Sequence, residues 1–113
     1  MSSGFSGMNA WLIQRITGMY VGFFALILFG IFSTTPPQSY SEWVAVFASP
    51  LLQIGCSLFV LAILFHAWIG MRDIVLDYVH PLGFKIGFLT LSLIVLFGSG
   101  LWALRALYLV ELA

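Results

Sequence analysis

The chain has 113 residues, of which 62% are hydrophobic and only 7% charged, with a formal net charge of +0. Soluble domains carry about 25% charged residues, so a chain this apolar cannot cover itself with a wettable surface. The neutral balance removes the basic face that a nucleic-acid partner requires, and the length leaves no room for an aqueous catalytic domain beside the membrane spans. The expected fold class is all-α: an integral membrane protein with three transmembrane helices and a short interfacial helix, forming a single anchor domain over 1–113.

No charge precedes Arg15, and Thr34-Thr35-Pro36-Pro37 makes a poor cleavage site, so the first apolar segment is expected to be retained rather than removed as a signal peptide. The first span is expected at about 11–32, because Ile16 to Phe32 is free of charge and about 20 residues cross the hydrocarbon. Pro36 and Pro37 end it by breaking the hydrogen-bond ladder. Ser39-Tyr40-Ser41-Glu42 has the Ser-x-x-Glu pattern of a capping box and opens the segment Trp43 to Ala48. That segment is too short to span, and with Tyr40, Trp43 and Phe47 it suits the membrane interface. The second span is expected at about 51–78, after Pro50, and its last turns are polar. The third is expected at about 82–107, with Pro81 before its first turn. Cys56 stands alone in an apolar run, where a thiol behaves as a small buried hydrophobe. Gly18/Gly22 and Gly83/Gly87 are small-xxx-small steps that would let helices approach closely, or simply glycines of the kind common in membrane helices.

Basic residues set the expected sidedness. Arg15 opens span one, while Arg72 and Lys85 flank the second loop; the first loop has neither Lys nor Arg and carries Glu42. The N-terminus is therefore expected to be cytoplasmic and the C-terminus outside, with Arg105 pulling mildly the other way.

Polar side chains within a span are costly and mark candidate sites. At about 100° per residue, Gly55, Phe59, Ala62, His66, Gly70, Asp73 and Asp77 fall on one stripe of span two. A ring nitrogen flanked by residues without bulk suits axial ligation of a flat macrocycle. The same stripe also suits a histidine bonded to a neighbouring helix, or a proton relay. The other histidine, His80, lies roughly 21 Å along the same helix, so a second axial ligand would come from another subunit. Tyr78 points about 120° away from His66; it is either an aromatic-belt anchor or, with Asp77, a phenol donor for a ligand carbonyl. Arg15 is either a snorkelling anchor or a fixed cation facing an anionic group such as a haem propionate.

His66-Ala67-Trp68-Ile69-Gly70-Met71 followed by Asp77-Tyr78 resembles the second helix of the smaller hydrophobic membrane anchor of bacterial succinate dehydrogenase, respiratory complex II. Trp11-Leu12-Ile13-Gln14-Arg15-Ile16-Thr17-Gly18 resembles the start of that family's first helix, and Ser41-Glu42-Trp43 also fits. The resemblance covers nearly the whole chain, although the third helix is only generically hydrophobic. His80 departs from it, since such chains often carry a basic residue there.

The resemblance implies that His66 is one axial ligand of the iron of a haem b shared with the larger cytochrome b anchor subunit. It implies that Tyr78 hydrogen-bonds a ubiquinone carbonyl at the cytoplasmic face, that Asp77 belongs to the same polar network, and that Arg15 lies near the haem propionates or the quinone pocket. The chain itself would hold no catalytic residue. It would dock an iron–sulfur subunit and a flavoprotein subunit to the lipid of the bacterial inner membrane, and electrons from succinate would pass to quinone. A fumarate reductase anchor and a non-redox scaffold or transport subunit are the alternatives. A transporter should carry polar residues along all its inner faces, whereas here they gather at one edge and span three is uncharged from Ile86 to Leu104.

Overall fold

The computed structural model describes residues 7–109. Four helices follow one another: α1 Gly7–Thr34, α2 Tyr40–Ala48, α3 Pro50–Tyr78 and α4 Leu82–Leu109. Three of them are 28, 29 and 28 residues long and apolar enough to cross a membrane. At about 1.5 Å per residue each reaches roughly 42 Å, which accounts for a molecule of 51 × 24 × 22 Å. The described residues are an all-helical multi-pass membrane fold with one short extra helix. The chain termini, on which the expected sidedness also bears, lie outside the described residues.

Each helix boundary has a local cause. In α1 the last ladder bond is Thr35 N–H to Ile31 O at 2.9 Å, and Pro36 and Pro37 follow. Ser39 caps α2, its hydroxyl accepting from Glu42 N–H at 3.2 Å. The reciprocal arm of the expected box closes one residue early, because the Glu42 carboxylate accepts from Gln38 N–H at 3.2 Å. Helix α2 accordingly starts at Tyr40 rather than Trp43. Ser49 ends it in an extended conformation (ψ 126°), and Pro50 starts α3 in the first turn, where the missing N–H costs nothing. Val79 is extended and closes α3 through its N–H to Val75 O at 3.0 Å, before a cis His80–Pro81 bond.

Helix α3 is the middle of the bundle, packed by α1 on one side and α4 on the other. Its core is small. Phe24, Cys56 and Leu107 are buried together, with Tyr20, Leu28, Phe47, Leu52 and Phe59 around them. The Phe24 ring stacks on Tyr20 at 5.7 Å and meets Phe59 at 5.2 Å. Tyr20 also donates its hydroxyl to Gly55 O at 2.8 Å, tying α1 to α3. Gly100 admits the Leu64 side chain against α4, and Ser57 and Tyr108 share a hydroxyl bond of 2.7 Å. Phe32, Trp43 and Phe47 form an aromatic cluster that holds α2 against the end of α1. Outward, large apolar side chains such as Phe23, Leu26, Phe29 and Trp102 stay at least 66% exposed. Surface of that kind needs lipid or partner helices to cover it.

Candidate functional site

Gln14, Arg15, Thr17, His66, Arg72 and Asp73 form a polar group along the α1–α3 seam, at the end where α1 begins and α3 finishes. Residues at spacings of three and four share a helix face, so Ala10, Gln14, Thr17 and Phe24 on α1 oppose the α3 stripe. The small residues of that stripe are filled by α1: a Cβ on Gly55 would stand 2.7 Å from Phe24 Cε2, and one on Gly70 would stand 3.6 Å from Gln14 Nε2. At Gly55 and Gly70 the stripe is met by α1 and not by open space. The opening near His66 is on the flank of the seam.

His66 meets α1 through one edge of its ring. Nδ1 stands 3.3 Å from Gln14 O and 3.4 Å from Thr17 Oγ1, and Cε1 lies over Gly18, where a Cβ would approach to 3.1 Å. A carbonyl only accepts, and Thr17 commits its own hydroxyl proton to Ile13 O at 2.7 Å. Both neighbours thus call for a proton on Nδ1, which leaves the lone pair on Nε2. Nε2 has no hydrogen-bond partner among the described residues. Of the roles expected for His66 (ligand, bond between helices, proton relay), the contacts of Nδ1 supply the bond between helices.

A cleft of about 420 Å³ opens beside it, lined by Gln14, Arg15, Gly18, Met19 and His66. Arg15 is half of a cation–π pair, its guanidinium carbon 5.4 Å from the Trp11 ring centroid. A second cleft of about 300 Å³ continues toward the helix ends, where Arg15 and Gln14 are joined by Arg72 and Asp73. Arg72 pairs with Asp73 at 3.1 Å, so Asp73 serves its neighbour rather than the His66 stripe. The buried Gln14 Oε1 has no hydrogen-bond partner among the described residues. Arg15 and His66 thus line one cleft.

Asp77 and Tyr78 do not join them. Both are exposed at the end of α3, Tyr78 by 79%, and neither makes a hydrogen bond among the described residues. Twelve helical positions separate Tyr78 from His66, roughly 18 Å. Among the described residues no group of three or more His, Cys, Asp or Glu could hold a metal ion. A single imidazole can supply one axial position and no more. For a b-type haem the fit at that position is good: a metal-bound histidine characteristically donates its second ring N–H to a carbonyl or similar acceptor, and the open Nε2, the glycine under the ring and the adjacent arginine complete a suitable donor set.

Sequence reasoning passed over Gln14, Thr17 and Gly18 as partners of His66. Their signal was their spacing on one face of α1, but only the helix pairing gives that face an addressee. Of the glycine steps, Gly18 does make close contact, while a Cβ on Gly22, Gly83 or Gly87 would meet nothing within 4 Å among the described residues.

Residues 2–107 match the family described as succinate dehydrogenase/fumarate reductase transmembrane subunit. The chain is similar to the succinate dehydrogenase hydrophobic membrane anchor subunit of Coxiella burnetii, at 33% identity over 103 residues, covering 91% of this chain and 90% of that one. It is also similar to the succinate dehydrogenase 2 membrane subunit SdhC of Mycobacterium tuberculosis, at 32% identity over 77 residues, covering 66% and 57% of the two chains.

Proposed function

The chain belongs to the succinate dehydrogenase/fumarate reductase transmembrane subunit family, and from that premise we propose that it is the smaller anchor of a succinate:quinone oxidoreductase, with a share in a haem and in a quinone site. The observation that carries this reading is the state of His66: Nδ1 is engaged by α1, while Nε2 has no partner among the described residues and stands beside a cleft that also holds Arg15. In this reading His66 Nε2 would hold the iron of haem b together with a histidine from the larger cytochrome b anchor subunit. A bound haem of this type supplies a one-electron redox centre between the helices. Arg15 offers the propionates a fixed cation, backed by Trp11. Tyr78 holds a free phenol at the membrane edge and donates to a carbonyl of the substrate ubiquinone, with Asp77 next to it.

The chain contributes placement and electrostatics and has no catalytic residue of its own. Succinate oxidation belongs to the flavoprotein subunit and electron delivery to the iron–sulfur subunit, both docked on this end of the bundle. Antiparallel packing puts Arg15, Arg72 and Lys85 at that same end, which supports a cytoplasmic N-terminus in a bacterial inner membrane.

A reduced-minus-oxidised spectrum of the purified assembly tests the proposal, with His66→Ala alongside. A b-type band that is lost or shifted in the variant is expected. A band unchanged by the substitution would remove His66 as ligand, and no band in either sample would remove haem from the reading.

A further inference from the structure

We infer that Thr17 is a positioning residue for His66, sharing with Gln14 O the proton on Nδ1 and so tuning how strongly Nε2 donates; this rests on the haem reading above. Two atoms of α1 meet the imidazole at Nδ1. Gln14 O at 3.3 Å and Thr17 Oγ1 at 3.4 Å face the same nitrogen. If Nδ1 held a lone pair, it would point at a carbonyl oxygen, and two acceptors would repel across the seam. With the proton on Nδ1 both become acceptors.

Thr17 is suited to this by its other bond. Its hydroxyl proton goes to Ile13 O at 2.7 Å, one turn back along α1. The remaining lone pairs are left to face the imidazole. The result is an ordered chain from His66 Nδ1–H to Thr17 Oγ1–H to Ile13 O, in which each bond polarises the next. Gly18 leaves space for the ring edge that this bonding requires, since a Cβ there would already press on Cε1 at 3.1 Å. A hydrogen bond accepted from a ligand's distal N–H raises the basicity of the ligating nitrogen. A more basic Nε2 favours the more positive iron state, so the Thr17 bond lowers the midpoint potential of the centre.

The test uses the assembled complex carrying Thr17→Val, Thr17→Ala or Thr17→Ser, with potentiometric titration of the haem band and haem content per assembly. Val and Ala both lack the hydroxyl; Ser keeps it. An upward shift in midpoint potential in Val and Ala, restored by Ser, is expected, with haem affinity falling about 10-fold, the low end for losing such a partner because Gln14 O still accepts. Wild-type potential in Val or Ala, with haem present, overturns the inference, and so does a Ser variant that behaves like Val. If neither hydroxyl-free variant assembles, proton NMR of the histidine-labelled wild-type complex in the ferrous state decides: a through-space contact between the His66 Nδ1 proton and the Thr17 hydroxyl supports the inference, and an Nδ1 proton that contacts Gln14 alone overturns it. Absence of haem from the wild type, or a band indifferent to His66→Ala, would instead sink the haem reading and this inference with it.

Discussion

Gly55→Ala should be one of the more damaging single-methyl additions in this chain. The new Cβ would stand 2.7 Å from Phe24 Cε2 and 3.0 Å from Cζ, about 0.7 Å inside ordinary contact, which begins near 3.4 Å. The ring has nowhere to go. Phe24 is 7% exposed, stacked on Tyr20 and set against Phe59, Cys56 and Leu107. Nor can the helices separate freely, because the Tyr20 hydroxyl grips Gly55 O at 2.8 Å. Overpacking of this kind costs about 1–3 kcal/mol, against which alanine returns up to about 1 kcal/mol of helix propensity. A net loss of about 1 kcal/mol is expected. The mechanism is isolated by a double-mutant cycle with Phe24→Leu, which removes the ring atoms at fault. Equilibrium unfolding of the two anchors in mixed micelles, titrated with SDS and followed by tryptophan fluorescence, gives the four stabilities. The double variant should be more stable than the sum of the singles by about 1 kcal/mol or more. Additivity within about 0.3 kcal/mol would refute the argument, since side chains that do not touch add independently.

Gly18→Ala puts a methyl 3.1 Å from His66 Cε1, so the imidazole must yield by a few tenths of an ångström; a shifted haem band with near-normal assembly is expected, and an unshifted band would mean that the ring does not rest on Gly18. Tyr78→Phe removes the exposed phenol and should raise the KM for quinone by up to about 10-fold, the worth of one hydrogen bond, while leaving the haem band alone. Steady-state quinone reduction with succinate measures it, and an unchanged KM would return Tyr78 to the role of membrane-belt anchor. Ser39→Ala deletes the cap on Glu42 N–H and should cost about 1 kcal/mol. The loss should appear as faster amide exchange in the first turn of α2, with α1 and α3 unaffected.

Much of this architecture was legible in the chain itself. The three spans follow from unbroken apolar runs, and their ends from Pro36-Pro37, Pro50 and Pro81, whose effects are local. His66 stood out because a polar ring in an apolar span is expensive anywhere it sits. The function of the stripe around it was harder to see. Gly55 and Gly70 looked like room for a flat ligand, and only the packing sets Phe24 and Gln14 of α1 against them. Periodicity states which residues share a face and is silent about what the face meets.

Composition and hydropathy alone required a multi-pass helical protein, because an apolar backbone stretch in lipid must satisfy its hydrogen bonds within itself. Those forces act within one helix at a time and need no knowledge of its neighbours. The arrangement of helices was decided in three dimensions: α3 in the middle, Tyr20 bonded to Gly55, Arg15 beside His66, and Gln14 with Thr17 directing the imidazole proton. These contacts join residues some 35 to 52 positions apart. Between helices in lipid no hydrophobic drive selects the pairing, so small-residue fit and a few hydrogen bonds make the choice, and these depend on the register of two surfaces at once.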